Sequence, residues 1–357
     1  MEEIRILGAG PSGLSAAINL AKKGYGVKVL ERSARCGSRF GGDLQGLENW
    51  TSEKDVVKEL EEMNIKVNFD CDPFRRLLFT NSVKDAELDF KRPLFYLVKR
   101  GRVEGSIDNG LKEEAESSGV EIEFNSKAEA KDVDIVASGP NPKEVLRAID
   151  RGIVFSTGAE DMAVGLINDR MAYKGYSYLL ITKGYGCIST VVMDKTNLAR
   201  EQLDKSVEYF KGRFGLEIKN PRGIAGIIGF SIKNKFQREG KRYVGEAGGI
   251  QEMLWGFGIR SALYSGYLAA ESISESIDYG EIASKKFKKY LMASVVNRYL
   301  WERAGEKDYG FMLDRLNKAK DPMALIRSLY TYRLIHKVLF PIAKYKMGKK
   351  YRSINGI

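Results

Sequence analysis

The sequence predicts an α/β protein. Its core is a Rossmann-like, doubly wound parallel sheet, joined by an antiparallel-sheet second domain and a helical C-terminal region. Three observations carry this. The chain opens on "EIRILGAGPSGLSAAINLAKKGYGVKVLERS", an apolar run, a glycine turn, an amphipathic stretch and a second apolar run. Its middle alternates apolar and polar residues with a period of two, as half-buried strands do. Its end carries apolar residues at helical spacing among many lysines and arginines.

The opening has a mechanical reading. Ile4 to Leu7 form a buried parallel strand. Gly8, Gly10 and Gly13 fit G-x-G-x-x-G: the first allows a tight turn, the second lets the backbone approach a pyrophosphate, the third lets helix and strand pack closely. Ser12 to Lys23 read as a helix whose N-terminus faces the phosphates. Gly24 to Gly26 end it, and Val27 to Leu30 make the second strand. Glu31 closes that strand and can accept hydrogen bonds from ribose hydroxyls. The expected dinucleotide-binding residues are therefore Gly8, Gly10, Pro11, Ser12, Gly13, Glu31 and Arg32. This unit alone does not separate FAD from NAD, but an acid at Glu31 disfavours a 2′-phosphate and hence NADP.

A second glycine-rich stretch, "YVGEAGGIQEMLWGFGIRSALYSG", runs from Tyr243 to Gly266. Tyr243 to Gly245 read as a strand with Glu246 at its carboxyl end, where ligands sit in open parallel sheets. Gly256 to Gly258 lead into an amphipathic helix from Ile259 to Ile277. An acid there suits ribityl hydroxyls, and a helix start suits the N1/C2=O edge of a flavin, which becomes anionic on reduction. A nicotinamide dinucleotide needs no such remote element, so the pair of turns favours FAD.

With these residues the chain resembles the flavoproteins of the p-hydroxybenzoate hydroxylase superfamily, and within it the geranylgeranyl reductase family. The resemblance covers most of the first 280 residues. It implies that Glu246 stands where the family has Asp, that Gly258 and Ile259 grip the flavin, and that Arg100, before the helix around Asp108 to Ser118, contacts the cofactor. There are three departures. Ser138-Gly139 replaces the usual Asp-Gly after "DVDIVASGP", which argues against an NADPH-dependent hydroxylase. Cys36 lies closer to Glu31 than the reductases' cysteine, and Gly41 to Asp43 sit nearer that offset, so Cys36 receives no catalytic role. The family's aromatic pocket stretch is here "GYSYLLITKGYG", which keeps Tyr176 and Tyr178 but lacks the Trp and the Phe-Pro.

The expected FAD-binding domain is discontinuous, residues 1–68, 100–148 and 241–279. Residues 69–99 and 149–240 form the substrate domain and 280–357 the C-terminal helical region. In the first insertion "RRLLFTNS" and "AELDF" read as short strands. In the second, "YSYLLITKGYGCISTVVMD" reads as a hairpin, "GIAGIIGFSI" as a further strand, and Arg200 to Phe214 as a helix. Ser284 to Ala304 is helical, as is Met323 to Met347, with Pro341 interrupting it.

Composition narrows the function. At 43% hydrophobic and 29% charged the chain is globular, and its 357 residues suit two domains. No signal peptide and no 18-residue apolar run is visible, and three unpaired cysteines suit a reducing cytoplasm. A single histidine, His336, with no Cys-x-x-Cys, makes a zinc site or a histidine triad hard to build. The net charge is +11, and no acid follows Asp321, whereas eight basic residues do: Arg327, Arg333, Lys337, Lys344, Lys346, Lys349, Lys350 and Arg352. Such an end suits an anionic membrane surface, placing the protein in the cytoplasm with peripheral membrane contact through 323–352. Nucleic-acid binding lacks any recognisable module.

The favoured reading is an FAD-dependent oxidoreductase that reduces C=C bonds of a prenyl, geranylgeranyl-type lipid. Tyr176, Tyr178, Trp255 and Phe257 would line the isoprenoid substrate's pocket. No general acid announces itself. Ferredoxin, quinol and nicotinamide nucleotide all stay open as electron donor. Two alternatives stand: a flavin monooxygenase or other oxidoreductase of the same superfamily, and a non-catalytic protein that binds flavin or lipid.

Overall fold

The computed structural model describes residues 3–141 and 146–355, and the side chains to residue 350. Its first sheet has six strands, in the order Gln237–Arg238, Lys241–Tyr243, Ile135–Val136, Glu3–Leu7, Gly26–Glu31 and Glu121–Phe124. All neighbours are parallel except the first two strands. Strands 3–7, 26–31, 135–136 and 241–243 therefore present their carboxyl ends along one edge. Distant parts of the chain meet there, which is where open α/β sheets bind ligands.

The helix Pro11–Lys22 fills the crossover after the first strand. Pro11 begins it because a first-turn residue needs no backbone N–H partner and its φ is already helical. Beside it runs the helix Ile259–Ser274. The two touch closely: a Cβ built on Gly266 would stand 2.1 Å from Ser12 O, and Ser15 Oγ donates to Leu263 O at 2.7 Å. Leu14, Ile18, Leu20, Leu263 and Ala270 bury their side chains in this contact and against the sheet.

The second sheet has seven strands, in the order Lys219–Phe230, Leu146–Ser156, Tyr185–Val192, Tyr176–Thr182, Met162–Leu166, Arg76–Thr80 and Asp85–Asp89. The expected hairpin is present, turning at Lys183 and Gly184, whose φ angles are 50° and 76°. Two positive φ angles match the twist of the flanking strands. The helix Ala199–Phe214 covers the sheet's outer face through Leu203 and Phe210. A third sheet was not foreseen: Gly41–Glu48 and Asp72–Phe74 flank Phe95–Gly101, all antiparallel.

The C-terminal region differs from expectation. After Tyr279–Trp301 and Glu306–Asn317 come two helices, Pro322–Tyr330 and Leu334–Asn355, separated by Thr331 to Arg333. The break lies there and not at Pro341, which sits inside an unbroken helix. Pro341 is exposed, so water can serve the carbonyl that its missing N–H leaves free. Among the described residues no helix is long and apolar enough to cross a membrane.

Candidate active site

One cavity of about 1310 Å³ joins the two glycine turns. Its walls include Gly8 to Ser12, Glu31 and Arg32 at one end, and Gly245, Glu246 and Gln251 with Trp255 to Ile259 at the other. Arg100, Tyr176 and Tyr178 also line it. Every residue singled out from the sequence for cofactor or substrate except Gly13 therefore faces one space. Gly13 lies beneath it, and a Cβ there would stand 2.0 Å from Gly8 O. Gly8 holds φ +104°, and a Cβ would meet Ala137 O at 2.4 Å. Gly10, by contrast, has nothing within 4 Å of the Cβ it lacks. The first and third glycines serve packing, and the second opens the wall to a ligand.

Glu31 is held from within the turn. Its Oε2 accepts from Ala9 N at 2.9 Å and its Oε1 from Ser33 N at 2.8 Å. Each oxygen retains lone pairs for a hydroxyl donor. Helix Pro11–Lys22 directs its N-terminus at the adjoining space, since its first backbone N–H groups have no intrahelical partner.

Glu246 lies in the short turn Gly245–Gly248 that follows strand Lys241–Tyr243. It pairs with Arg39, a residue the sequence reading passed over, at 2.7 Å. Arg39 also donates to Ile227 O at 2.7 Å, which ties the loop after Glu31 to the edge of the second sheet. Arg39 and Glu246 are 207 positions apart, so no local pattern announces the pair.

The loop 251–258 is built around a buried carboxylate. Glu252 accepts from the backbone N–H groups of Leu254, Trp255 and Phe257 at 2.8, 2.9 and 3.0 Å. Burial pushes its pKa up to about 7 against the pull of those donors. These N–H groups thus point inward and not at a ligand. The donors left for a ligand are those of the helix's own first turn, from Ile259 onward. Gln251 fills the space beside Gly258, where a Cβ would stand 1.8 Å from its Oε1.

Arg100 is buried and forks onto Asp108, Nε to Oδ2 at 2.9 Å and Nη2 to Oδ1 at 3.0 Å. Its Nη1 reaches Gln45 Oε1 at 3.2 Å, and its guanidinium lies 4.0 Å from the Phe40 ring centre. The fork holds Arg100 rigidly in the wall. Cys36 is buried, and burial pushes its thiol up to about 12, so it is a poor nucleophile at neutral pH.

Beyond the glycine turns the cavity is aromatic and aliphatic. Trp255 packs edge-on against Tyr176, Phe79 and Trp301, with ring centres 5.5, 6.1 and 4.8 Å apart. Phe257 meets Trp50 at 4.5 Å. Tyr176 Oη donates to the backbone carbonyl of Trp255, fixing the tyrosine ring against that loop. Met312, Leu316, Leu325, Ile326 and Leu329 close the far end from the C-terminal helices. Small-ligand pockets run to roughly 1,000 Å³. This cavity has room for a dinucleotide and a second, apolar ligand.

Residues 6–43 match the model of the NAD(P)-binding Rossmann-like domain. Among curated proteins, thiamine thiazole synthase of Thermotoga maritima is 34% identical over 118 residues, 30% of this chain and 46% of that protein. That of Saccharolobus solfataricus is 42% identical over 65 residues, 18% of this chain and 24% of that protein. The chain thus spans less than half the length of these curated relatives. Solved structures match along almost the whole chain. A geranylgeranyl bacteriochlorophyll reductase-like protein from Thermoplasma acidophilum aligns at TM-score 0.70 and 15% identity, covering 99% of this chain and 98% of that one. A p-nitrophenol 4-monooxygenase from Pseudomonas putida aligns at 0.65 and 14%, covering 94% and 100%. A flavin-dependent brominase aligns at 0.64 and 14%, covering 98% and 100%. The chain therefore has the fold of flavin-dependent oxidoreductases. Its residues fit FAD: an open Gly10, a carboxylate at Glu31, a second at Glu246 and a helix start at Ile259 line one channel.

Proposed function

We propose that the chain is an FAD-dependent oxidoreductase that reduces C=C bonds of a prenyl, geranylgeranyl-type lipid. The observation that supports it most is the continuous cavity, whose polar end suits a dinucleotide and whose other end is apolar and aromatic. Gly8, Gly10, Pro11, Ser12 and the helix behind them would cradle the pyrophosphate, Glu31 and Arg32 the adenosine side, and Glu246 the ribityl chain. Ile259 would present backbone donors to the flavin ring. Bound and reduced, FAD supplies a hydride. Tyr176, Tyr178, Trp255 and Phe257 would hold an apolar chain against it and exclude water.

The test is direct. The purified protein should be yellow and release FAD on denaturation. Reduced anaerobically with dithionite, it should reoxidise when geranylgeranyl diphosphate is added. A colourless protein that FAD does not reconstitute would refute the cofactor. Reoxidation by oxygen with an aromatic substrate, and not by the prenyl chain, would favour the monooxygenase reading.

The last helix supports membrane contact. Leu334, Ile335, Val338, Ile342 and Tyr345 are exposed on it, with Lys337, Lys344, Lys346 and Lys349 interleaved. Apolar burial plus a basic face is the two-signal route to reversible binding of anionic lipid. Two expected contributors are occupied elsewhere: Arg327 pairs with Glu53, and Lys350 with Asp194 and Glu302. The side chain of Arg352 lies outside the described residues.

A further inference from the structure

The cavity face of the seven-stranded sheet carries a built acidic site that no motif marks. Pairing in the sheet is Asp150 with Gly226 and Val191, and Val191 with Tyr176. These four form one row across the face. The next row is Ile224, Gly152, Ser189 and Tyr178. The two tyrosines of the substrate reading thus stand on the same face as Asp150. Among the described residues of that face, Asp150 is the only acidic one.

Two glycines shape its surroundings. A Cβ on Gly152 would stand 2.8 Å from Ser189 Oγ and 2.5 Å from Ile188 O, so its absence lets Ser189 reach across. Ser189 Oγ donates to Asp150 Oδ1 and so fixes the carboxyl group's direction. Gly226, on the other side, leaves open space above the carboxyl group, since a Cβ there would lie 3.9 Å from Oδ2. Oδ2 has no donor among the described residues, and Asp150 lines the cavity while being only 8% exposed.

We propose that Asp150 is the proton donor of this cavity, giving its carboxyl proton to the substrate carbon beside the one that receives hydride from reduced flavin. This rests on the flavin-dependent reductase reading above. The step balances. The hydride brings two electrons to one alkene carbon, and the former π pair takes the Asp150 proton at the other. The double bond becomes single with two new C–H bonds, and the flavin is left oxidised. The carboxylate that remains regains its proton from solvent in the cavity.

The electrostatics agree with that task. Burial pushes the Asp150 pKa up to about 7, with Asp43 adding to the shift and the Ser189 hydrogen bond opposing it. The titratable groups around it are Asp43 from strand Gly41–Glu48, Tyr176 and Tyr178 from one neighbouring strand, and Cys187 from the other. Residues 225–228 of the third neighbour bring none. Arg147 and Arg151, on its own strand, alternate to the opposite face of the sheet, although both also line the cavity. An acid poised near neutral pH suits general-acid catalysis.

The experiment compares the FAD-loaded chain with its Asp150→Asn variant, which keeps an oxygen for Ser189. Infrared difference spectra taken across pH should show carboxylic-acid C=O bands titrating near pH 7 from Asp150 and from Glu252 in the parent, and the variant should lose the Asp150 band and keep that of Glu252. In single turnovers of dithionite-reduced protein with geranylgeranyl diphosphate, the variant should reoxidise about 100-fold or more slowly, with its flavin spectrum and FAD affinity unchanged. A variant spectrum that has lost no titrating intensity relative to the parent, or reoxidation at the parent's rate, overturns the proposal. A parent that binds no FAD overturns both readings. A parent that binds FAD but ignores the prenyl probe overturns the substrate reading alone. The infrared titration then decides Asp150, and the absence of a titrating band that Asp150→Asn removes overturns it.

Discussion

At the scale of single residues, the site depends on buried charges held by partners far away in sequence. Arg260 shows this best. It is 6% exposed and donates to Glu59 at 2.8 Å, to Glu48 at 3.4 Å and to Thr51 at 3.1 Å. It is the second residue of its helix, so its charge is unfavourable to the helix dipole and is tolerated because two carboxylates face it. Replacing Glu59 by Gln should destabilise the fold by about 3–5 kcal/mol in urea unfolding, since it strips a partner from a buried ion. Asp150 gives a pH signature. Its pKa is about 7 when folded, against about 3.9 in an unfolded chain. Between those values the folded chain holds a proton that the unfolded chain has lost. Its contribution to stability is complete below about pH 4 and is lost as pH rises to about 7. The Asp150→Asn variant should show a correspondingly flatter dependence in the same urea assay. None of these residues stands in a motif, because their roles come from burial and pairing. The sequence therefore pointed to Glu31 and the three early glycines but not to Arg39, Asp150 or Glu252.

Elements were legible where local chemistry decides them. The helix Tyr279–Trp301 begins at Asp278, whose side chain accepts from Glu281 N at 2.7 Å. Asp278→Ala should cost about 1 kcal/mol, read as a lower unfolding midpoint. The hairpin at Lys183-Gly184 and the helix behind the first glycine turn were equally readable, for each carries its own turn residues. The strand Gly41–Glu48 was not. "GGDLQGLE" is rich in residues that disfavour strands. It forms one because Phe95–Gly101, over fifty residues later, supplies its partner, and because Tyr185 Oη ties Gly42 O at 2.7 Å. Pro341 misled in the opposite sense. A proline marks a break only where its lost hydrogen bond is buried, and this one faces solvent. The true break at Thr331 to Arg333 carries neither Gly nor Pro; there His336 Nδ1 accepts from Arg333 N at 2.9 Å.

For the whole molecule, charge and shape are separated. The cavity's apolar end is closed by helices Glu306–Asn317 and Pro322–Tyr330, and the helix that follows exposes both apolar and basic residues. Vesicles rich in phosphatidylserine should bind the chain, with affinity falling as salt rises. Changing Lys337, Lys344, Lys346 and Lys349 to Glu should abolish co-sedimentation while leaving the thermal midpoint nearly unchanged, because all four are exposed. Co-sedimentation that survives this change would reject the membrane reading.

The order of strands in the first sheet has a consequence for biosynthesis. Strand Lys241–Tyr243 completes the ligand-facing edge only by pairing with Ile135–Val136, and the second glycine turn comes later still. A ribosome must therefore translate past the helix Ile259–Ser274 before both glycine turns are in place to line the cavity. Nascent chains stalled before Lys241 should hold the nucleotide loosely or not at all, and those released past the helix Ile259–Ser274 should retain it.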